Sequence, residues 1–318
     1  MQFLARTSQN FQGILCLFIA LVFLTISDAI IKWLSPYYPL HELTLIKAAI
    51  ALVLILVFAH FFGGLSQLKT KRPWLHILRG FMLVLSDAFY FLGLAAMPMA
   101  TAVALFFCAP LFVCLIAKMF LGETVGLQRW LAIVVGMVGV LVIAQPGGVD
   151  FNWSVIFPVL SAVTYALMIM MTRKLAISDS AGSMSVYILI SFIMLSTISG
   201  FLIGDGRFNV FSQASLDFLL RAWLWPSLSV YQLLIICGVV SAVGVYLLSQ
   251  SYRIAEASVV VPFEYASLPL AILAGLLVWG DVPGLRDYIG SALIIGSGLV
   301  VVLLEIRMSR KIALSKVG

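Results

Sequence analysis

Five ionisable side chains stand inside long apolar runs: Asp28, Lys32, Lys47, Asp87 and Glu264. A charge deep in a lipid-embedded helix is costly, so each needs a partner, a wet cavity or a ligand. Asp28 and Lys32 lie four residues apart and share a helix face, where they can pair structurally. The same pair also suits an access site that a charged solute pulls apart. Lys47 reads as a structural cation for Asp28 or Asp87, reached from a neighbouring helix. Asp87 is followed one turn later by Tyr90. A carboxylate beside a phenol can hold a cation or a hydrogen-bonding ligand, the ring adding cation–π attraction. The other reading of Asp87 is a carboxylate satisfied by a serine or a carbonyl of an adjacent helix.

Glu264 sits between Pro262 and Pro269. Proline lacks the N–H that a helix ladder needs and clashes with the preceding turn, so both prolines, like Pro110 in the first half, read as helix breaks. Carbonyls freed at such breaks must face protein or a wet cavity. Glu264 and its neighbour Tyr265 therefore read as substrate contacts, with Glu264 also the candidate for coupling a proton to transport. A pair with Arg79 or Arg253 is the alternative for Glu264. Phe107 occupies the aligned place in the first half and joins Asp28, Asp87, Tyr90, Glu264 and Tyr265 as a candidate substrate-binding residue. Phe106, Tyr165 and Tyr246 are further aromatics that suit a cavity wall or ordinary packing.

Other chemistry is missing from the sequence. It holds no phosphate-cradling glycine loop, no clustered Cys/His spacing for a metal and no nucleophile elbow, so no cofactor, metal or catalytic residue is expected. His41, His60 and His76 are scattered near helix ends. An intramembrane enzyme or lipid-handling protein would want an acid and a base within hydrogen-bond reach. The acids here are spread over three helices at different depths, which suits a pathway better. A passive channel would need a continuous polar stripe, and the runs carrying Pro110 and Pro262 are too apolar for one.

These residues have to be positioned by a membrane-embedded scaffold. Of 318 residues, 63% are hydrophobic and only 10% are charged, with a mean hydropathy of +1.15. That is too little polar surface for a water-facing globule, where about a quarter of residues are charged. Runs of spanning length fall at 11–34, 42–62, 74–96, 98–120, 127–145, 153–172, 184–204, 230–252, 258–280 and 286–306. The expectation is thus an all-α membrane protein of ten transmembrane helices. With both termini cytoplasmic, fourteen of the 19 Lys and Arg residues lie on the inner side, as the positive-inside rule requires. All four cysteines lie in apolar runs and read as buried small hydrophobes.

Two stretches organise the whole. Residues 97–123 and 255–281 are apolar, proline-broken and end in Gly-Glu and Gly-Asp. Aligned without gaps, Ala100, Val103, Phe106, Ala109 and Leu111 fall on Ala257, Val260, Phe263, Ala266 and Leu268. Broken helices at corresponding places in two halves point to a transporter's central site. Five spans per half make the repeat inverted, with residues 1–148 and 149–318 as the halves. Gly136 and Gly139 in the fifth span, and Gly290, Gly296 and Gly298 in the tenth, suit close packing in a scaffold or a dimer face. Residues 213–226 contain a short amphipathic stretch, expected to lie flat on the outer surface with Trp223 and Trp225 at headgroup level and Pro226 as its stop, as a passive interfacial cap or, alternatively, a lid guarding the substrate.

The segments RPWLHILRG (72–80), PMATAVALFFCAPLF (98–112), LGE (121–123) and the glycine-spaced run from Gln128 to Val142 resemble the EamA domain of the drug/metabolite transporter superfamily. The first of these and VVVPFEYASLPL look closest to bacterial S-adenosylmethionine and riboflavin transporters. The resemblance implies two inverted five-helix EamA repeats and secondary-active transport by alternating access in the inner membrane. The substrate it implies is a small polar or amphipathic metabolite, cationic or zwitterionic by the excess of buried carboxylates, with export of amino acids or drugs as the alternative. Partners would be that small molecule and membrane lipid, not nucleic acid, in a monomer or homodimer.

Overall fold

In lipid no water satisfies a backbone N–H or C=O, so an apolar run must bond within itself, and the helix is the way one segment does so. The computed structural model describes residues 2–62, 70, 72–121, 127–145, 152–175, 181–254 and 261–315. The elements are α1 (Gln2–Leu34), α2 (Leu40–Phe62), α3 (Pro73–Ala96), α4 (Met99–Phe106), α5 (Ala109–Leu121), α6 (Leu127–Ala144), α7 (Ile156–Leu175), α8 (Ala181–Ile203), α9 (Ala214–Leu220), α10 (Leu228–Ile254), α11 (Ser267–Trp279) and α12 (Leu285–Ser315). Short 3-10 segments precede α7 (Trp153–Val155) and α11 (Val261–Ala266). Every described element is helical. Five stretches are long and apolar enough to cross a membrane: Phe11–Leu34, Leu40–Phe58, Pro73–Ala96, Ser185–Ile203 and Leu228–Leu248. Four shorter apolar helical stretches accompany them: Met99–Val113, Trp130–Ala144, Trp153–Ile169 and Phe263–Trp279.

The proline-bearing runs break as their composition demands. The run 98–120 splits at Phe107 and Cys108, where the Phe107 N–H bonds Val103 and Ala104 and the Cys108 N–H bonds Leu105. Pro110 is then the second residue of α5, in a first turn whose N–H groups have no helical acceptor. The second run enters as the 3-10 segment holding Pro262. Pro269 is the third residue of α11 and so stands, like Pro110 in α5, in the first turn that follows the interruption.

Packing pairs helices that are distant in sequence. α1 lies on α10, α2 on α8, α3 on α7, α4 on α11 and α6 on α12, with α2 also against α10 and α3 against α8. Buried hydroxyls stitch these seams. Ser27 meets Ser241 at 2.7 Å between α1 and α10. Ser86 meets Ser161 at 3.0 Å between α3 and α7, and Thr44 meets Ser196 at 2.9 Å between α2 and α8. Between lipid-exposed helices the driving forces are close packing and such hydrogen bonds, since lipid tails are as apolar as leucine. At the α6–α12 seam a methyl on Gly139 would lie 2.8 Å from the Gly290 carbonyl oxygen. These two glycines therefore serve scaffold packing within the chain, the first of the two roles expected for them.

The connection between α8 and α10 departs further from expectation. α9 ends at Leu220, where Arg221 turns extended, well before Pro226. It is not a passive surface helix, because Phe218 and Ser215 are fully buried. Trp225 is exposed, whereas Trp223 packs its ring 5.7 Å from that of His41. Asp217 is paired with Arg221 one turn on and accepts from the Asn209 amide at 2.8 Å. Burial pushes the Asp217 carboxyl up, but these two partners outweigh it and hold it below the usual range. The pair is accordingly lost only as pH falls through that lowered value.

The hydroxyl seams are testable one pair at a time. In a double-mutant cycle of Ser86→Ala and Ser161→Ala, measured by unfolding in detergent, the coupling should be about 0.6 kcal/mol and no more than about 1.7. A coupling of zero would remove the hydroxyls from the account of the seam.

Candidate functional site: a buried charge cluster beside the helix breaks

Four helices bring the intramembrane charges together. Asp28 on α1 stands six residues from the C-terminal end of its helix, about 9 Å at the helical rise. Lys47 on α2 and Asp87 on α3 face it from neighbouring helices. The Lys47 ammonium lies 3.9 Å from the Asp87 carboxylate, an ion pair too long to be a hydrogen bond, and 4.8 Å over the Phe91 ring. The charges of Lys47 and Asp87 both act on Asp28, whose carboxylate is hydrogen-bonded by the Tyr90 hydroxyl. α10 closes the cluster: Cys237 bonds the Ser27 hydroxyl at 3.4 Å and lies within the field of Lys47. The result is two carboxylates and a phenol around one ammonium.

Lys47 is paired with Asp87, one of the two acids expected for it, and its charge also acts on Asp28. The expectation for Lys32 is corrected. The Lys32 ammonium turns away from Asp28, donates to the Met97 carbonyl and lies 5.1 Å over the Trp279 ring. The physical reason is position: near the C-terminal end of α1, a long side chain reaches the carbonyl exposed where α3 stops. Helical spacing permitted the pair with Asp28 without compelling it.

The helix breaks form a second group. Phe107 at the α4–α5 break stacks at a tilt 4.7 Å from Tyr265 in the 3-10 segment, so the two broken runs meet directly. Phe106 lies 5.3 Å from Tyr165 of α7 and 5.8 Å from Tyr90. Aromatic rings thus run from the charge cluster to the breaks. Glu264 is half-buried on the 3-10 segment, with its charge acting on both Tyr165 and Tyr265. The alternative partner Arg253 lies outside the residues whose side chains are described. A Cβ at Gly298 would collide with the Tyr265 hydroxyl. Gly298 therefore shapes the site, a correction to its reading as plain packing. Tyr246 belongs elsewhere, edge-on to Phe58 at 5.1 Å.

One acid escaped the sequence reading. Glu42, in the first turn of α2, is fully buried and accepts the Leu224 N–H at 3.1 Å. Its place beside a helix end made it look like an interfacial residue, and only the fold of 221–227 over it buries it. The hydroxyl pairs were equally silent, since lone serines recur throughout these helices.

Removing Lys47 leaves two carboxylates without their cation. Lys47→Met should lower stability by up to about 3 kcal/mol, the low end for a buried pair because Asp87 is 26% exposed. Lys47→Met with Asp87→Asn should recover part of that loss. The check is thermal unfolding of both purified variants, and equal melting of Lys47→Met and wild type would contradict the shared-cation geometry.

With this geometry in place, comparison with known proteins is informative. The family model described as the EamA-like transporter family matches residues 11–145. A riboflavin transporter of Vibrio cholerae is 32% identical over 94% of this chain and 96% of its own length. An S-adenosylmethionine uptake transporter of Rickettsia bellii is 28% identical over 94% of this chain and 97% of its own length. One solved crystal structure covers 95% of this chain and 99% of its own with a TM-score of 0.61 at 20% identity, a likeness of fold alone. These relatives are named as transporters, not enzymes. The chain belongs to the EamA-like transporter family and is a multi-pass membrane transporter.

Proposed function

We propose that the chain is a secondary-active transporter of the inner membrane that carries a small cationic or zwitterionic metabolite past the charge cluster. The observation that carries this reading is the convergence of Asp28, Lys47, Asp87 and Tyr90 from α1, α2 and α3 with α10 of the second half. A zwitterion matches such a set: its ammonium competes with Lys47 for the two carboxylates while its carboxylate takes Lys47. A ligand that swaps ionic partners in this way replaces one satisfied arrangement by another, so no charge is left bare in the low dielectric. Tyr90 and Phe107 with Tyr265 supply rings for a planar or cationic group. The names of the two relatives support a substrate resembling S-adenosylmethionine, with riboflavin as the second candidate.

The scaffold we infer is two inverted five-helix repeats, residues 1–148 and 149–318, crossing the membrane ten times with both termini cytoplasmic. The seams support it. If each element of the first half is matched to its place in the second, the α1–α10 seam becomes the α3–α7 seam, and the α2–α8, α4–α11 and α6–α12 seams map onto themselves. An inverted repeat produces such a pattern and also supplies alternating access by exchange of the two halves' conformations. Glu264 has no acidic counterpart in the first half, where Phe107 stands. We assign it the proton that accompanies the substrate.

Two measurements test this. A ligand that binds only the folded protein raises its melting temperature by mass action. In a panel of S-adenosylmethionine, riboflavin, choline-type cations, amino acids and small carboxylates, a cation or zwitterion should shift the melting by a few degrees (about 2–4 for a chain of this size) and fail to do so with Asp87→Asn. Shifts by carboxylates alone would overturn the substrate class. For the coupling, Glu264→Gln should abolish the pH dependence of uptake in vesicles; a mutant that retains the wild-type pH profile would remove Glu264 from that role.

A further inference from the structure

The outer strap, residues 213–224, reaches across two packs of helices. α1, α2 and α10 pack together on one side, and α3, α7 and α8 on the other, with α2 and α8 meeting between them. On the first side the Arg221 guanidinium donates to the Ser35 carbonyl at 2.9 Å, and the Leu224 N–H donates to Glu42 at 3.1 Å. The Trp223 ring covers His41. On the second side the Ser215 hydroxyl donates to the Leu92 carbonyl at 2.7 Å and accepts from the Ser154 hydroxyl at 3.0 Å. Gln213 donates to the Ser154 hydroxyl at 3.0 Å, and the Trp223 backbone N–H donates to the Gly204 carbonyl at 2.9 Å. Phe218 is fully buried and anchors the strap against α3.

We infer that this strap is the outer latch of the transporter: its bonds to Ser35, His41 and Glu42 hold the two helix packs together over the charge cluster, and they must break before solute enters from outside. A passive cap would bond to one pack only, or to lipid. This strap divides its hydrogen bonds between the two, so separation of the packs has to strip one set. The set on the α1–α2 side is the weaker in anchorage, because the buried Phe218 and Ser215 both hold to α3 and its neighbours. Opening therefore leaves the strap on the α3 side and frees Arg221, Trp223 and Leu224. Arg221 stays paired with Asp217 one turn back, so its charge keeps a partner in the open state. The bare Glu42 carboxylate is then met by entering water. The inference goes beyond substrate recognition but rests on the reading of the outer ends of α1, α2 and α3 as the mouth of the pathway.

The test is accessibility. In a background with Cys16, Cys108, Cys114 and Cys237 replaced, Tyr90→Cys places a thiol in the cluster, and a membrane-impermeant thiol reagent is added to the outer face of cells. With the strap intact the thiol should react slowly. Arg221→Ala and Trp223→Ala should each speed the reaction about tenfold, the loss of roughly one hydrogen bond to a charged or well-packed group. Trp225→Ala, at the exposed tip, should leave the rate unchanged. If Arg221→Ala yields no folded protein, Arg221→Lys keeps the charge beside Asp217 but has a single head to share with Ser35, and should speed labelling several-fold. Equal rates in wild type and all strap variants would overturn the latch. So would fast labelling with the strap intact. Neither outcome touches the ligand-induced melting shift, which tests the site by itself.

Discussion

The structure depends on one constraint: a carboxylate inside a lipid-embedded helix needs a counter-charge, and here two carboxylates share one. Lys47 stands 3.9 Å from Asp87 and within the field of Asp28. Because these groups come from three helices, their pairing dictates how α1, α2 and α3 face one another. The pairing is also loose. An ion pair beyond hydrogen-bond length, a phenol on the second acid and an aromatic ring beneath the ammonium make a set that a charged solute can enter by exchanging partners. Stability and binding thus draw on the same few atoms, as is common where a site is built from charges that the lipid would otherwise exclude.

Around that cluster the helices are held by small devices repeated across the two halves. Hydroxyl pairs bind α1 to α10, α3 to α7 and α2 to α8, and the α6–α12 seam closes on glycines. Between the seams, the two broken runs meet at Phe107 and Tyr265. Breaks put irregular backbone where it is covered by protein, the only place at membrane depth where it survives. One end of the helices is crossed by the strap, with the buried Phe218 as anchor and Arg221 as tie.

Much of this was legible in the sequence because charge and proline are rare in such helices. Asp28, Lys47, Asp87 and the break at Pro110 could be singled out on that ground, and each has a definite place. Partner choice was less legible. Lys32 and Asp28 have helical spacing, yet Lys32 found a carbonyl at the end of α3, a contact between helices that no local spacing encodes. Pro110 and Pro269 both lie in the first turn after an interruption, and where that turn begins depends on where the preceding segment stops. Serines such as Ser86 and Ser161 gave no signal, because a hydroxyl matters only through its partner across a seam. Glu42 was hidden for the opposite reason: a helix-end acid looks solvated until a distant segment folds over it.

The central claim is that the shared charge cluster is where the solute is carried. The most direct measurement is uptake of labelled S-adenosylmethionine, or of whichever cation shifts the melting, into proteoliposomes containing the purified wild-type chain or Asp28→Asn. The account predicts saturable uptake in the wild type that Asp28→Asn reduces at least about tenfold, through a raised KM, while the variant remains folded; a tenfold change corresponds to about 1.4 kcal/mol of lost binding. Uptake by folded Asp28→Asn with an unchanged KM would contradict it.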